Sequence, residues 1–151
     1  MHHHTPNLQR QADASSILDL KRSLAYVSSQ VRQTGIGKLD YTNLQSKLAL
    51  QQMKAATDYG DDGDNDANAS YDTLSTDDRI HLCEEALENI TSCHDLRQAI
   101  LPSTHKRVRE ANHIKEKAKD LLLYLKRLRS FEIWVARKHF IIQGHHAAPT
   151  E

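Results

Sequence analysis

Aromatic residues make up only 5 % of the 151 positions, and there are just five glycines and three prolines. Sandwiches and barrels need many turns and a supply of aromatic and β-branched strand residues, so this poverty argues against both. Cysteine is almost as scarce, with Cys83 and Cys93 the only two. They fall ten residues apart in one predicted helix, roughly 15 Å along its axis. A disulfide requires Cα atoms within about 7 Å, so the pair cannot bridge there. With no apolar leader at the N-terminus, the expected compartment is reducing and intracellular, cytoplasm or nucleus. No apolar run approaches the roughly 20 residues of a membrane span. Neither sign of charge is in excess, with 20 basic and 20 acidic side chains.

Leu, Ala, Lys, Arg, Gln and Glu, all good helix formers, fill the periodic segments instead. Ile17, Leu20, Leu24, Val27 and Val31 recur at spacings of three and four, which predicts an amphipathic helix from about Asp13 to Gln33. Gly35-Ile36-Gly37 ends it, because glycine accepts the left-handed cap. A second helix is expected from Tyr41 to Thr57, capped by Asp40, with Tyr41, Leu44, Leu48 and Ala55 as its stripe. A third starts at Ser75, where Ser75 and Asp78 resemble a capping box, and ends at Pro102. The fourth, capped by Ser103 or Thr104, runs to Gln143 with Ala111, Ile114, Ala118, Leu121, Leu125, Leu128, Val135 and Ile142 on one stripe. About 40 residues give roughly 60 Å of helix, a length that suggests a coiled coil or extended bundle. A second apolar set, Leu122, Trp134, Phe140 and Ile141, is too broad for one narrow seam.

Charge falls in blocks. Residues 1–57 carry seven basic and three acidic groups, 58–95 carry one basic and twelve acidic, and 102–142 carry eleven basic and four acidic. An acidic stretch is therefore expected to lie near a basic helix, in this chain or in a partner. The organisation read from these signals is a flexible N-terminus (1–12), a helical hairpin (13–57), an acidic disordered linker (58–74), a second hairpin with a long basic C-terminal helix (75–143), and a flexible tail (144–151).

The chemical motifs are incomplete. A calcium loop begun at Asp64 puts Ala69 where glycine must turn the chain and Ser75 where a glutamate must close the shell. His81, Cys83, Cys93 and His94 are strung along one helix, beyond the reach of a single zinc ion. Glu110 and His113 match a di-iron Glu-x-x-His, but neither early helix contains a glutamate to complete the set. His3 with a free amine could take copper or nickel only if Met1 is native and unblocked. Thr34-Gly35-Ile36-Gly37-Lys38 has Arg32 in place of the first glycine of a phosphate loop and Leu39 in place of its hydroxyl residue. No cofactor or metal and no catalytic role is expected.

The fold expected is all-α, an elongated helical bundle or coiled coil of about four helices with a long C-terminal helix. The function expected is that of a non-catalytic helical interaction subunit or adaptor of a larger multiprotein assembly, meeting other helical proteins as a hetero- or homo-oligomer. Its contact residues would be Ile17, Leu20, Leu24, Val27, Val31, Leu121, Leu125, Leu128, Trp134 and Val135. The alternative is a binding module whose basic face, Lys126, Arg127, Arg129, Arg137 and Lys138, docks on anionic membrane, nucleic acid or calmodulin.

Overall fold

Helix-forming residues and strong stop signals divide the chain into four helices, α1 (Pro6–Thr34), α2 (Lys38–Asp58), α3 (Thr76–Ile100) and α4 (Lys106–Gly144). A computed structural model describes residues 6–58 and 74–144, with side chains over 15–57 and 74–142, and contains no strand among them. The acidic stretch 59–73, which holds all but the end of the calcium loop begun at Asp64, and His3 lie outside the described residues, as does the tail beyond 144. The architecture is an all-α bundle with a long C-terminal helix.

Local chemistry sets the ends. α1 begins at Pro6, seven residues before the expected start at Asp13, because proline is pre-organised for the first helical turn. Gly35 and Gly37 hold φ of 73° and 91°, left-handed values that stop α1 and turn the chain into α2. α2 opens at Lys38, which places Asp40 in its first turn rather than at the cap. The Ser75 hydroxyl accepts from the Asp78 N–H at 3.0 Å, the cap expected from the sequence. At α4 the cap is His105, not Ser103 or Thr104: its Nδ1 accepts from the Arg107 N–H at 3.0 Å.

α2, α3 and α4 make the core. α2 packs along α3, α3 along α4, and α1 lies on α2. The stripe of α1, Ile17 to Val31, is only half-buried. The centre is lined by small residues, with Ala49, Ala86, Ala111 and Ala118 fully buried beside Ile90, Cys93 and Ile114. Small side chains bring the helices so close that the thiols reach neighbouring backbone. Cys83 donates to the Ala118 carbonyl and Cys93 to the Thr42 carbonyl, each at 3.3 Å.

The face of α2 departs only in part from the expected stripe of Tyr41, Leu44, Leu48 and Ala55, since Leu48 and Ala55 are buried, each 2 % exposed. Tyr41 and Leu44 are half-buried, while Thr42, Gln45, Ala49, Gln52 and Ala56 are buried. Their 3-4-3-4 spacing is a heptad seam built from polar and small groups. Each polar member is answered from α3. Gln45 donates to Ser92 at 2.8 Å, Gln52 donates to Glu85 at 2.9 Å and accepts from Asn89 at 3.0 Å, and Arg79 donates to the Ala56 carbonyl at 2.6 Å. Arg97, only 2 % exposed, donates to Thr42 Oγ1 at 3.1 Å, Asn43 Oδ1 at 2.9 Å and the Arg107 carbonyl at 2.9 Å. These bonds make the buried polar seam tolerable, with Gln45 Oε1 left without a partner, and they register α2 against α3.

A candidate docking surface on the outer half of the last helix

α4 outruns the helices that cover it. Cys83 sits opposite Ala118, and Thr76 of the first turn of α3 donates to Glu132 at 3.0 Å. Arg129 is ion-paired with Asp77 at the same level. Residues 133–144 therefore continue past the start of α3, about 18 Å of helix at 1.5 Å per residue.

The sequence-derived contact residues separate along this axis. Leu125 is fully buried, packed with Ala56, Ile80 and Cys83. Leu121 and Leu128 are half-buried, and from Arg129 to Ile142 every residue is exposed. Trp134 is 54 % exposed and Val135 41 %. Phe131, Ile133, Phe140 and Ile141 are exposed with them. The α1 residues Ile17, Leu20, Leu24, Val27 and Val31 belong to a different place, half-buried where α1 lies on α2. The structure does not bring the two sets together.

The exposed residues organise one another. The rings of Phe131 and Trp134 stack with centroids 6.1 Å apart, and the Lys138 ammonium lies 5.5 Å from the Trp134 ring centre. On another side Ile133, Ala136, Phe140 and Ile141 line an apolar hollow with the stem of Arg137. Phe131, Ile133 and Phe140 were not among the contact residues read from the sequence; of the three, only Phe140 lay in the second apolar set that departed from the main stripe. Of the basic residues, Lys126, Arg127, Arg129, Arg137 and Lys138 are all exposed, but Arg129 is taken up by Asp77 and Lys138 by the indole.

The remaining chemistry is dispersed. Among the described residues no three His, Cys, Asp or Glu side chains converge on a point that could hold a metal ion. Cys83 and Cys93 are buried free thiols. Burial, with Glu84 nearby, pushes the Cys83 pKa up to about 11, and burial likewise raises that of Cys93. His81 is exposed with Glu84 at 3.5 Å, and Glu110 stands 3.8 Å from Arg97. His94 is buried and its pKa is lowered by desolvation and by Lys115. A groove of about 860 Å³ along α3 has Leu87, Leu96 and Leu122 in its walls with Glu84, Glu88 and Asp95. No described helix is long and apolar enough to cross a membrane. No protein-family model, curated protein or solved structure matches the chain.

Proposed function

We propose that this chain is a non-catalytic interaction subunit or adaptor of a larger protein assembly, and that it engages partner helices through the outer half of α4. The observation that carries this reading is the run of exposed large apolar residues from Phe131 to Ile141 on a helix that has outgrown its own bundle. An exposed patch of this kind marks an interaction surface. Its aromatic members, Trp134 above all, are the residue types that anchor interfaces. In this reading the protein works inside the cell, in cytoplasm or nucleus, where Cys83 and Cys93 stay reduced.

The arrangement around the helix favours packing between helices over lying on an anionic surface. Ile133 and Val135 are two residues apart, about 160° around an α-helix, and Val135 and Phe140 about 140°. A helix apolar on several sides is one that is enclosed, whereas a surface-lying helix keeps one wholly polar face. The basic surplus then selects partner helices with an acidic flank.

The test is to place a photo-crosslinking amino acid at position 134 or 140 in cells. Protein adducts are expected at both positions. They should vanish in a Phe140→Asp, Ile141→Asp double variant carrying the probe at 134, whose circular dichroism melt stays unchanged. Adduct-free probes at both positions would refute the proposal, and so would binding to phosphatidylserine vesicles in place of protein.

A further inference from the structure

We propose that the corner where α2, the end of α3 and the start of α4 meet is a binding site for a phosphate-type oxyanion. A cavity of about 370 Å³ opens there between Lys47 of α2, Arg97 of α3 and Lys106 and Arg107 of α4. Against these four cations stands one carboxylate, Glu110, whose oxygen is 3.8 Å from Arg97. Lys47 and Lys106 have no hydrogen bond or ion pair among the described residues.

Three features make this more than a basic surface. First, the positive end of the α4 dipole carries like charge. Lys106 and Arg107 open the helix, and its first turn contains no acidic residue. Cations there oppose the macrodipole, and a bound anion would relieve that repulsion; the N–H groups of Arg107, Val108 and Arg109 are already bonded to His105, so the side chains would make the contact. Second, the donors are pre-set. Arg97 is held by Thr42 and Asn43, and the Asn43 oxygen accepts from Arg97 at 2.9 Å and from Arg107 at 3.0 Å. Two guanidinium donors on that oxygen fix the amide, so its NH₂ is left to donate. Third, Ser46 on the cavity wall is only 8 % exposed, and its hydroxyl has no hydrogen-bond partner among the described residues. An unpartnered hydroxyl on the wall of a cavity, beside unpaired cations, is a place for an acceptor.

The ligand class follows from the donors. Cations, an amide NH₂ and a hydroxyl converge with a net charge near +3, which suits a multiply charged group with several acceptor oxygens. A phosphate or pyrophosphate group fits, free or as the head of a larger molecule.

The experiment is calorimetric titration of the full chain with pyrophosphate, with sodium chloride at matched ionic strength as control. A parallel arm uses vesicles containing a phosphoinositide, which separates a lipid head group from a free phosphate. Saturable binding in either arm is expected, weakened roughly tenfold or more in Lys47→Ala, Lys106→Ala and measurably in Ser46→Ala. Both lysines are exposed, so the double variant should keep the wild-type melt. Absence of binding in both arms would overturn the proposal, as would an effect that chloride reproduces or affinity unchanged in the lysine variant.

Discussion

Leu125 and Trp134 lie nine residues apart on one continuous helix, and removing them should have opposite consequences. Leu125 is fully enclosed against Ala56, Ile80 and Cys83. Cutting it to alanine forfeits the transfer energy of the lost groups and leaves a cavity, together about 2–5 kcal/mol. Trp134 is 54 % exposed, and the ring contacts noted for it are with Phe131 and Lys138, themselves exposed. A stacked pair and a cation–π contact that are both solvent-exposed fall at the low end of their ranges, about 0.5 kcal/mol each. Trp134→Ala should therefore cost the isolated chain about 1 kcal/mol or less. The assay is urea unfolding of purified protein at low micromolar concentration, followed by far-ultraviolet circular dichroism. With a slope of about 2 kcal/mol per molar urea, a 3 kcal/mol loss in Leu125→Ala moves the midpoint down by about 1.5 M, while Trp134→Ala moves it by under about 0.5 M. If the tryptophan is an interface anchor, its truncation should instead cost about 2 kcal/mol or more of partner binding. Equal destabilisation of the isolated chain by the two substitutions would refute the reasoning, because the outer half of α4 would then be core.

Arg97→Ala removes a buried cation together with the partners of Thr42 and Asn43; unfolding should show a loss of about 3 kcal/mol or more, and Arg97→Met, which keeps the volume, a smaller one. His94 has its folded pKa lowered by burial first and by Lys115 second, with Asp95 opposing. The unfolded chain then binds the extra proton more readily. The stability from neutral His94 is full above its ordinary pKa of about 6.5 and is lost as pH falls from there through the folded value. Melts between pH 7.5 and 5 should show a decline that His94→Gln flattens; an identical decline in the variant would exclude this histidine as its source. At pH 8 a disulfide reagent should label Cys83 and Cys93 slowly in the native state and rapidly in urea, since both thiols are buried and Cys83 holds its proton to about pH 11; fast native labelling would contradict the packing.

Local signals along the chain determined the helical class, the number of helices and several of their ends. Ser75 caps α3 and the two glycines turn α1 into α2 because those effects reach only a few residues. The excess length of α4 was legible for the same reason: periodicity counts residues without needing a partner. What tertiary structure decided was which apolar residue is core and which is surface. Leu125 and Trp134 look alike in sequence, and only the position of α3's first turn, held by Asp77 and Thr76 against Arg129 and Glu132, separates them. It also decided the face of α2. A rule that sends polar groups to solvent selects Tyr41 and Leu44, yet Thr42, Gln45 and Gln52 go inside. Their 3-4 spacing was present all along, but α3 had to supply the matching Arg97, Ser92 and Asn89 before burial could be favourable. The cationic corner is of the same kind. Lys47, Arg97 and Lys106 are scattered in sequence, and only the packing of three helices brings them around one cavity.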